Sequence, residues 1–335
     1  MVRYLAKRLL WMVVVLFGVM TIIFFISHVI PADPVAAMLG GQAPPELIEE
    51  ARAKWNLDKP LYEQYGIYVW RLLHGDFGIS ISTRKPVGSD LVHFFPATFE
   101  LATTATILSI LFGVLLGIIS AVKRGGATDH FSRIFALSGI SMPVFWLALL
   151  MLLLFYYRLG WLPGGGQLPY FMTRPPRVTG MITLDSLIAG RFDAFVSALR
   201  HLIMPAVVLS FFGVAAISRI TRSSMLDVLR EDYINTSRAK GLREGVVVMK
   251  HALKNAMLPI VTIIGITYGR LLEGSVITET IFAWPGLGRY ATNAFLSIDF
   301  PAVVGATMLI ALLYALSNLA VDILYAYLNP KIRYG

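Results

Sequence analysis

Apolar residues run along this chain in six blocks, each long enough to cross a hydrocarbon core as a helix, which takes about 20 residues. The blocks are 9–30, 98–122, 134–157, 201–220, 256–281 and 302–328, and the polar residues fall between them. The first block follows Arg3, Lys7 and Arg8, a charge pattern shared with secretory leaders. Its apolar run of 22 residues is longer than a leader's, and no A-x-A site follows, so it is expected to persist as a first span.

The pattern predicts an all-α polytopic membrane protein with six transmembrane helices. Composition agrees: 56% of the 335 residues are hydrophobic, 15% are charged, and mean hydropathy is +0.69. A soluble domain carries about 25% charged residues, and a disordered chain lacks this apolar content. The net charge of +9 does not point to nucleic acid, because Lys and Arg collect in the cytoplasmic loops of membrane proteins. With both termini inside, residues 1–8, 123–133, 219–255 and 329–335 hold 16 Lys/Arg in 63 positions. The opposite loops 31–97, 158–200 and 282–301 hold 12 in 130. This bias predicts an N-in/C-in topology.

Three regions follow: an N-terminal tail and first span (1–30), an extracytoplasmic helical segment (31–97), and a five-helix core (98–335) whose loop 221–255 is its longest cytoplasmic piece. In the extracytoplasmic segment, Pro45 with Glu46, Glu49 and Glu50 reads as a helix start. Leu61, Tyr65, Val69 and Leu72 then recur at helical spacing. Residues 158–200, with Pro163-Gly-Gly-Gly166 and Pro175-Pro176, read as irregular loop with one short helix.

Catalytic chemistry has no foothold. The chain has no cysteine, and its six histidines form no H-x-x-x-H pair, so no metal site is expected. It contains no G-x-x-x-x-G-K-[ST] and no G-x-S-x-G. No catalytic residue and no cofactor of its own are expected, and ATP hydrolysis, if required, belongs to another chain.

The loop between spans four and five is the informative segment. Its residues favour helix up to Lys240, Gly241 suits a helix stop because it tolerates positive φ, and a second helical stretch follows from Val246 to Leu253. A short helix, a glycine turn and a second helix make a unit that a docked partner can push; an ordinary interfacial helix is the other reading.

The loop resembles the coupling segment of ABC-transporter permeases, with general pattern E-A-A-x-x-x-G-x9-I-x-L-P. Gly241 matches the glycine, and Asn235, Thr236 and Ser237 stand where E-A-A would, followed by Arg238, Ala239 and Lys240. Leu253 falls at the L, while His251 and Lys254 depart from the pattern. The wording of the loop is similar to the dipeptide/oligopeptide and nickel subfamily. So are Ile30-Pro-Ala-Asp-Pro34, Leu57-Asp-Lys-Pro60, Gly75-Asp-Phe-Gly78, Ser141-Met-Pro143 and Glu279-Thr-Ile-Phe-Ala-Trp-Pro-Gly-Leu-Gly288.

The resemblance implies a type I importer permease fold in the bacterial or archaeal inner membrane. It implies a second homologous permease subunit, two cytoplasmic ATPases that bind ATP and Mg, and an extracytoplasmic solute-binding protein. Residues 235–241 and Leu253 would then form the ATPase-coupling contact, and import would proceed by alternating access. Nickel or glutathione import is an alternative within the class. An ion-coupled secondary transporter is one outside it, and a scaffold without transport is a third.

Charges inside a span need a partner or water. Arg270 and Glu273 lie three apart on one face of span five. They either pair with each other or line the translocation pathway. Glu279 is expected to have a structural hydrogen-bonding role, Glu100 to remain hydrated near the interface, and Asn318 and Asp322 to bond across to another helix. Gly113-x-x-x-Gly117 and Gly265-x-x-x-Gly269 are expected to be packing devices.

Overall fold

The computed structural model describes residues 2–29, 44, 46, 49, 58–273 and 275–328. The expected Ile30–Pro34 motif lies outside the described residues, and of the helix start at Pro45 only Glu46 and Glu49 fall within them. The described residues are almost entirely helical. The elements are α1 (Val2–Val29), α2 (Leu61–Leu73), α3 (Val87–Val122), α4 (Ala127–Ser141), α5 (Val144–Arg158, with a π-helical second half) and α6 (Ile182–Ile188). They continue with α7 (Phe192–Leu229), α8 (Asp232–Ala239), α9 (Glu244–Glu273), α10 (Ser275–Ile281), α11 (Leu287–Leu296) and α12 (Phe300–Leu328).

Five helices among the described residues are long and apolar enough to cross a membrane: α1, α3, α7, α9 and α12. The sixth expected span, 134–157, is not one straight helix. It is α4 and α5, bent by 106° at their junction. Pro143 has no N–H to give to the ladder and forces Met142 into extended backbone, with φ −82° and ψ 124°. The expected fifth span, 256–281, is helical over its described residues, as the end of α9 and α10.

Packing centres on α3 against α7, where the backbones approach closely. A Cβ on Gly113 would lie 2.8 Å from Ile217 Cβ, and one on Gly117 would lie 2.5 Å from Thr221 Cβ. Gly265 likewise meets Val321 of α12. Both glycine pairs are therefore packing devices, and Leu101, Leu202, Leu209, Leu271 and Trp284 fill the core beside them. Asp322 of α12 crosses to Arg8 of α1 at 3.1 Å, as expected, whereas Asn318 makes no hydrogen bond with the described residues.

The helical spacing from Leu61 to Leu72 is realised as α2, which sets Tyr65 edge-on against Phe17 and Phe24 of α1. Residues 159–191 fold back over the end of the bundle. Their short helix α6 covers Glu100, so that residue is buried rather than hydrated; it accepts from Thr183 N at 2.9 Å, from Thr183 Oγ1, and from Gln167 Nε2 at 3.5 Å. Asp185 organises the same loop by accepting from Thr179 N (2.7 Å), Thr179 Oγ1 (2.8 Å) and Gly180 N (3.0 Å). Burial alone would raise its pKa, but these donors outweigh burial and hold the carboxyl below its ordinary value.

A folded-state pKa below the unfolded one gives stability that is complete above the unfolded value, about 3.9, and is lost as pH falls through the folded value. Asp185→Asn should therefore melt below wild type at pH 7, by about 1–2 kcal/mol. The gap should close in acid below about pH 4. Detergent melting across pH checks this; a gap that widened in acid would refute it.

Candidate functional site

One end of the bundle carries the loop singled out by the sequence. α7 runs past the expected span to Leu229, and the chain then breaks at Arg230 and Glu231, the latter extended at φ −69° and ψ 144°. α8 follows as a separate short helix. Only Ile234 of α8 is buried, packed with Met225, Val247, Val248, Ala252, Ala256 and Ile260. One apolar anchor thus fixes α8 to the starts of α9 and the end of α7, while the rest of its surface stays open.

The turn after α8 is a Schellman motif. Gly241 N donates to Arg238 O at 2.9 Å, Leu242 N to Ser237 O at 3.4 Å, and Gly241 has φ +77°. An ion pair, Arg238 Nη2 to Glu244 Oε1 at 2.8 Å, closes the turn onto the first residue of α9. Asn255 Nδ2 donates to Tyr233 Oη at 3.0 Å from the other side. Of the candidate coupling residues, Asn235, Thr236, Arg238, Ala239, Lys240 and Gly241 are exposed and Ser237 is half-buried. Leu253 differs: it is half-buried and packs into the apolar cluster under α8, holding the element from within.

Beside this loop lies a node that sequence reasoning missed. Asp129, 2% exposed, accepts from Arg222 Nε at 2.7 Å, Arg222 Nη2 at 2.9 Å, Ser120 Oγ at 2.6 Å and Gly125 N at 2.9 Å. It ties the ends of α3 and α7 to the start of α4. No local spacing signals a pair 93 positions apart.

Arg270 and Glu273 do not pair. Both side chains are exposed, and among the described residues no ion pair joins them. The opposite end of the bundle is built on Glu279, 0% exposed. Its carboxylate accepts from Thr98 Oγ1 (2.7 Å), Ser275 Oγ (2.8 Å) and Arg289 N (3.0 Å). Thr98 Oγ1 in turn accepts from Leu287 N at 2.7 Å, and Trp284 Nε1 donates to Ala97 O at 2.8 Å. A Cβ on Gly286 would sit 2.5 Å from the carboxyl, and one on Gly288 would sit 3.0 Å from Oε2. The motif 279–288 is thus a buried carboxylate with the glycines that let the chain close around it.

The family described as binding-protein-dependent transport system inner membrane component matches residues 113–334, and its N-terminal counterpart matches residues 1–102. The probable D,D-dipeptide transport system permease of Escherichia coli is 46% identical over 331 residues, covering 99% of this chain and 97% of that protein. The di/tripeptide transport system permease of Pseudomonas aeruginosa is 44% identical over 335 residues, covering 100% and 99%. The glutathione transport system permease of Escherichia coli is 38% identical over 334 residues, covering the full length of both. With an all-helical, multi-pass fold and full-length agreement of this kind, the chain belongs to the inner-membrane components of binding-protein-dependent transport systems.

Proposed function

We propose that this chain is the transmembrane subunit of an ATP-driven importer that passes di- or oligopeptides inward by alternating access. The observation that carries the reading is α8: a polar helix held by one apolar anchor, Ile234, with its remaining surface uncovered by this chain. Such a helix fits a groove in an ATPase, and force on it passes through Ile234 into the ends of α7 and α9. The two family relatives named for dipeptides and di/tripeptides support the peptide class. The glutathione relative is consistent with it, since glutathione is itself a peptide.

The partners are two ATPases that hold ATP and Mg, a solute-binding protein, and a second permease homologous to this one. This chain performs no hydrolysis and needs no cofactor. Its regions are the first span (1–30), the outer helical segment (31–97) and the core (98–335) with coupling loop 221–255. The test is uptake of a labelled dipeptide into vesicles holding the complete transporter. Uptake should require ATP and the binding protein; uptake driven by an ion gradient without ATP would favour a secondary transporter instead.

The Lys/Arg bias places α8 in the cytoplasm and the Glu279 end outside. Because the chain lacks cysteine, single cysteines at positions 84 and 240 make a clean topology probe. An impermeant thiol reagent added to sealed cells should label position 84 and spare position 240. Labelling of 240 from outside would invert or overturn the arrangement.

Arg270 and Glu273 line the translocation pathway in this reading, where their charges are hydrated or face the second permease and meet the charged ends of a peptide. Arg270→Ala, Glu273→Ala and the double variant should all assemble, and each should lower uptake at least tenfold. Rescue of assembly in the double variant relative to the singles would show instead a mutually satisfied pair.

A further inference from the structure

The outer end holds a cavity of about 210 Å³ between residues 82–83 and α11. Its floor is apolar: Phe94 and Tyr290 stack at 4.9 Å, with Pro285 and Ala294 beside them. Its polar wall is Arg289, Asn293, Ser82 and Thr83, with Asp299 beneath.

The carboxylates here are already engaged. Asp299, 0% exposed, accepts from Ser80 Oγ at 2.6 Å and Ser82 N at 2.9 Å. Asp90, 5% exposed, accepts from Thr83 Oγ1 at 2.5 Å and Tyr290 Oη at 3.2 Å. The cations are in the opposite condition. Arg84 and Lys85, which follow the lining residue Thr83 in sequence, are exposed, and among the described residues neither they nor Arg289 takes part in an ion pair. The Arg289 side chain makes one hydrogen bond, from Nη1 to Ala283 O at 2.7 Å, which leaves most of its five N–H donors open.

Costly backbone lies next to the lining residues. Among the described residues, the non-glycine positions with positive φ are Arg84 (56°), Ala283 (49°) and Ile298 (55°). Arg84 follows the lining residue Thr83, Ile298 precedes the lining residue Asp299, and Ala283 is itself the acceptor of the Arg289 side chain. Such conformations persist where surrounding structure over-determines them, and they gather at binding sites. The Ser80–Asp299 and Thr83–Asp90 bonds are that structure.

We propose that this cavity is a socket for an acidic side chain presented by the extracytoplasmic solute-binding protein, with Arg289 and Asn293 receiving the carboxylate and Arg84 and Lys85 steering its approach. The inference rests on the importer reading and on the outward orientation of this end. Buried carboxylates that need no partner and exposed cations without one make the accessible charge positive, which selects an acidic docking group. Steering of this kind raises the association rate and falls with salt.

The experiment measures association of the transporter's own binding protein with the complete transporter in lipid nanodiscs, at low and high salt. Wild type should bind more weakly as salt rises. Arg84→Glu combined with Arg289→Glu should weaken binding at least tenfold at low salt and flatten the salt dependence. Asn293→Phe, which fills the cavity without changing charge, should also weaken binding, whereas Arg289→Lys should retain most of it. Copurification of each variant with the ATPases controls for folding. Unchanged binding by the double-glutamate variant, or by Asn293→Phe, would overturn the socket. Weakened binding that anionic lipid in the nanodisc reproduces in wild type would assign the cavity to a headgroup and overturn it too. If wild type itself failed to bind the receptor or to respond to it with ATP hydrolysis, the importer reading would fail before the socket was tested.

Discussion

Glu279→Ala should be the most damaging single substitution at its end of the bundle, lowering stability by about 3–5 kcal/mol. The wild-type carboxylate is 0% exposed and takes donors from Thr98, Ser275 and the Arg289 backbone. Alanine strands these donors away from water, at about 1–3 kcal/mol for each left unsatisfied, and opens a cavity where the side chain stood. Thr98 and Ser275 hydroxyls can rotate toward other acceptors, but the N–H of Arg289 is fixed by its helix. Glu279→Gln keeps the volume and one acceptor oxygen, so it should fall between wild type and alanine. Gly286→Ala attacks the same site from the other side, with its Cβ 2.5 Å from the carboxyl, and should also destabilise. Melting of the detergent-solubilised complex and the level of assembled protein in the membrane report these effects. A melting temperature for Glu279→Ala within about 2 °C of wild type would mean that the network is not structural.

The helices were written plainly in the chain because a span must satisfy its own backbone, and long apolar blocks leave no other choice. The exception has a local cause. The bend of 106° at Pro143 occurs inside an apolar run. Hydropathy averages over such breaks. The proline was the visible local signal. The turn after α8 was legible because a Schellman stop is a local event between Ser237 and Leu242. Contacts distant in sequence were not. Ser80 with Asp299 and Asp129 with Arg222 join residues 219 and 93 positions apart, and no periodicity announces them. Glu100 illustrates the same limit: its position at a span end suggests water, but a loop more than 80 residues later covers it. Arg270 and Glu273 show the converse, since spacing on a helix face permits a pair without requiring one.

Gly241→Asp should abolish receptor-stimulated ATP hydrolysis and reduce uptake below about one hundredth of wild type, while leaving membrane insertion intact. Gly241 has φ +77°, and a Cβ built on it meets nothing within 4 Å. Within this chain the substitution therefore creates no clash, and its intrinsic cost is the left-handed backbone, about 1 kcal/mol for a non-glycine residue. That is too little to unfold a helix bundle anchored through Ile234 and the apolar cluster around it. The larger effect must come from outside the chain. An aspartate at this turn carries a charge into the surface that α8 presents, and burying it against an ATPase without a facing cation is expensive. Gly241→Asn separates the two contributions, because asparagine tolerates positive φ and brings no charge; it should retain much of the coupling. Gly126→Asp is the matched control at the same end: Gly126 is the N-cap of α4 with φ −80°, where aspartate is a favoured residue. If Gly241→Asp and wild type hydrolyse ATP equally in response to the receptor, the turn does not meet the ATPase. If Gly241→Asn fails as completely as Gly241→Asp, steric closeness rather than charge is what the glycine protects, and α8 approaches its partner through the backbone itself.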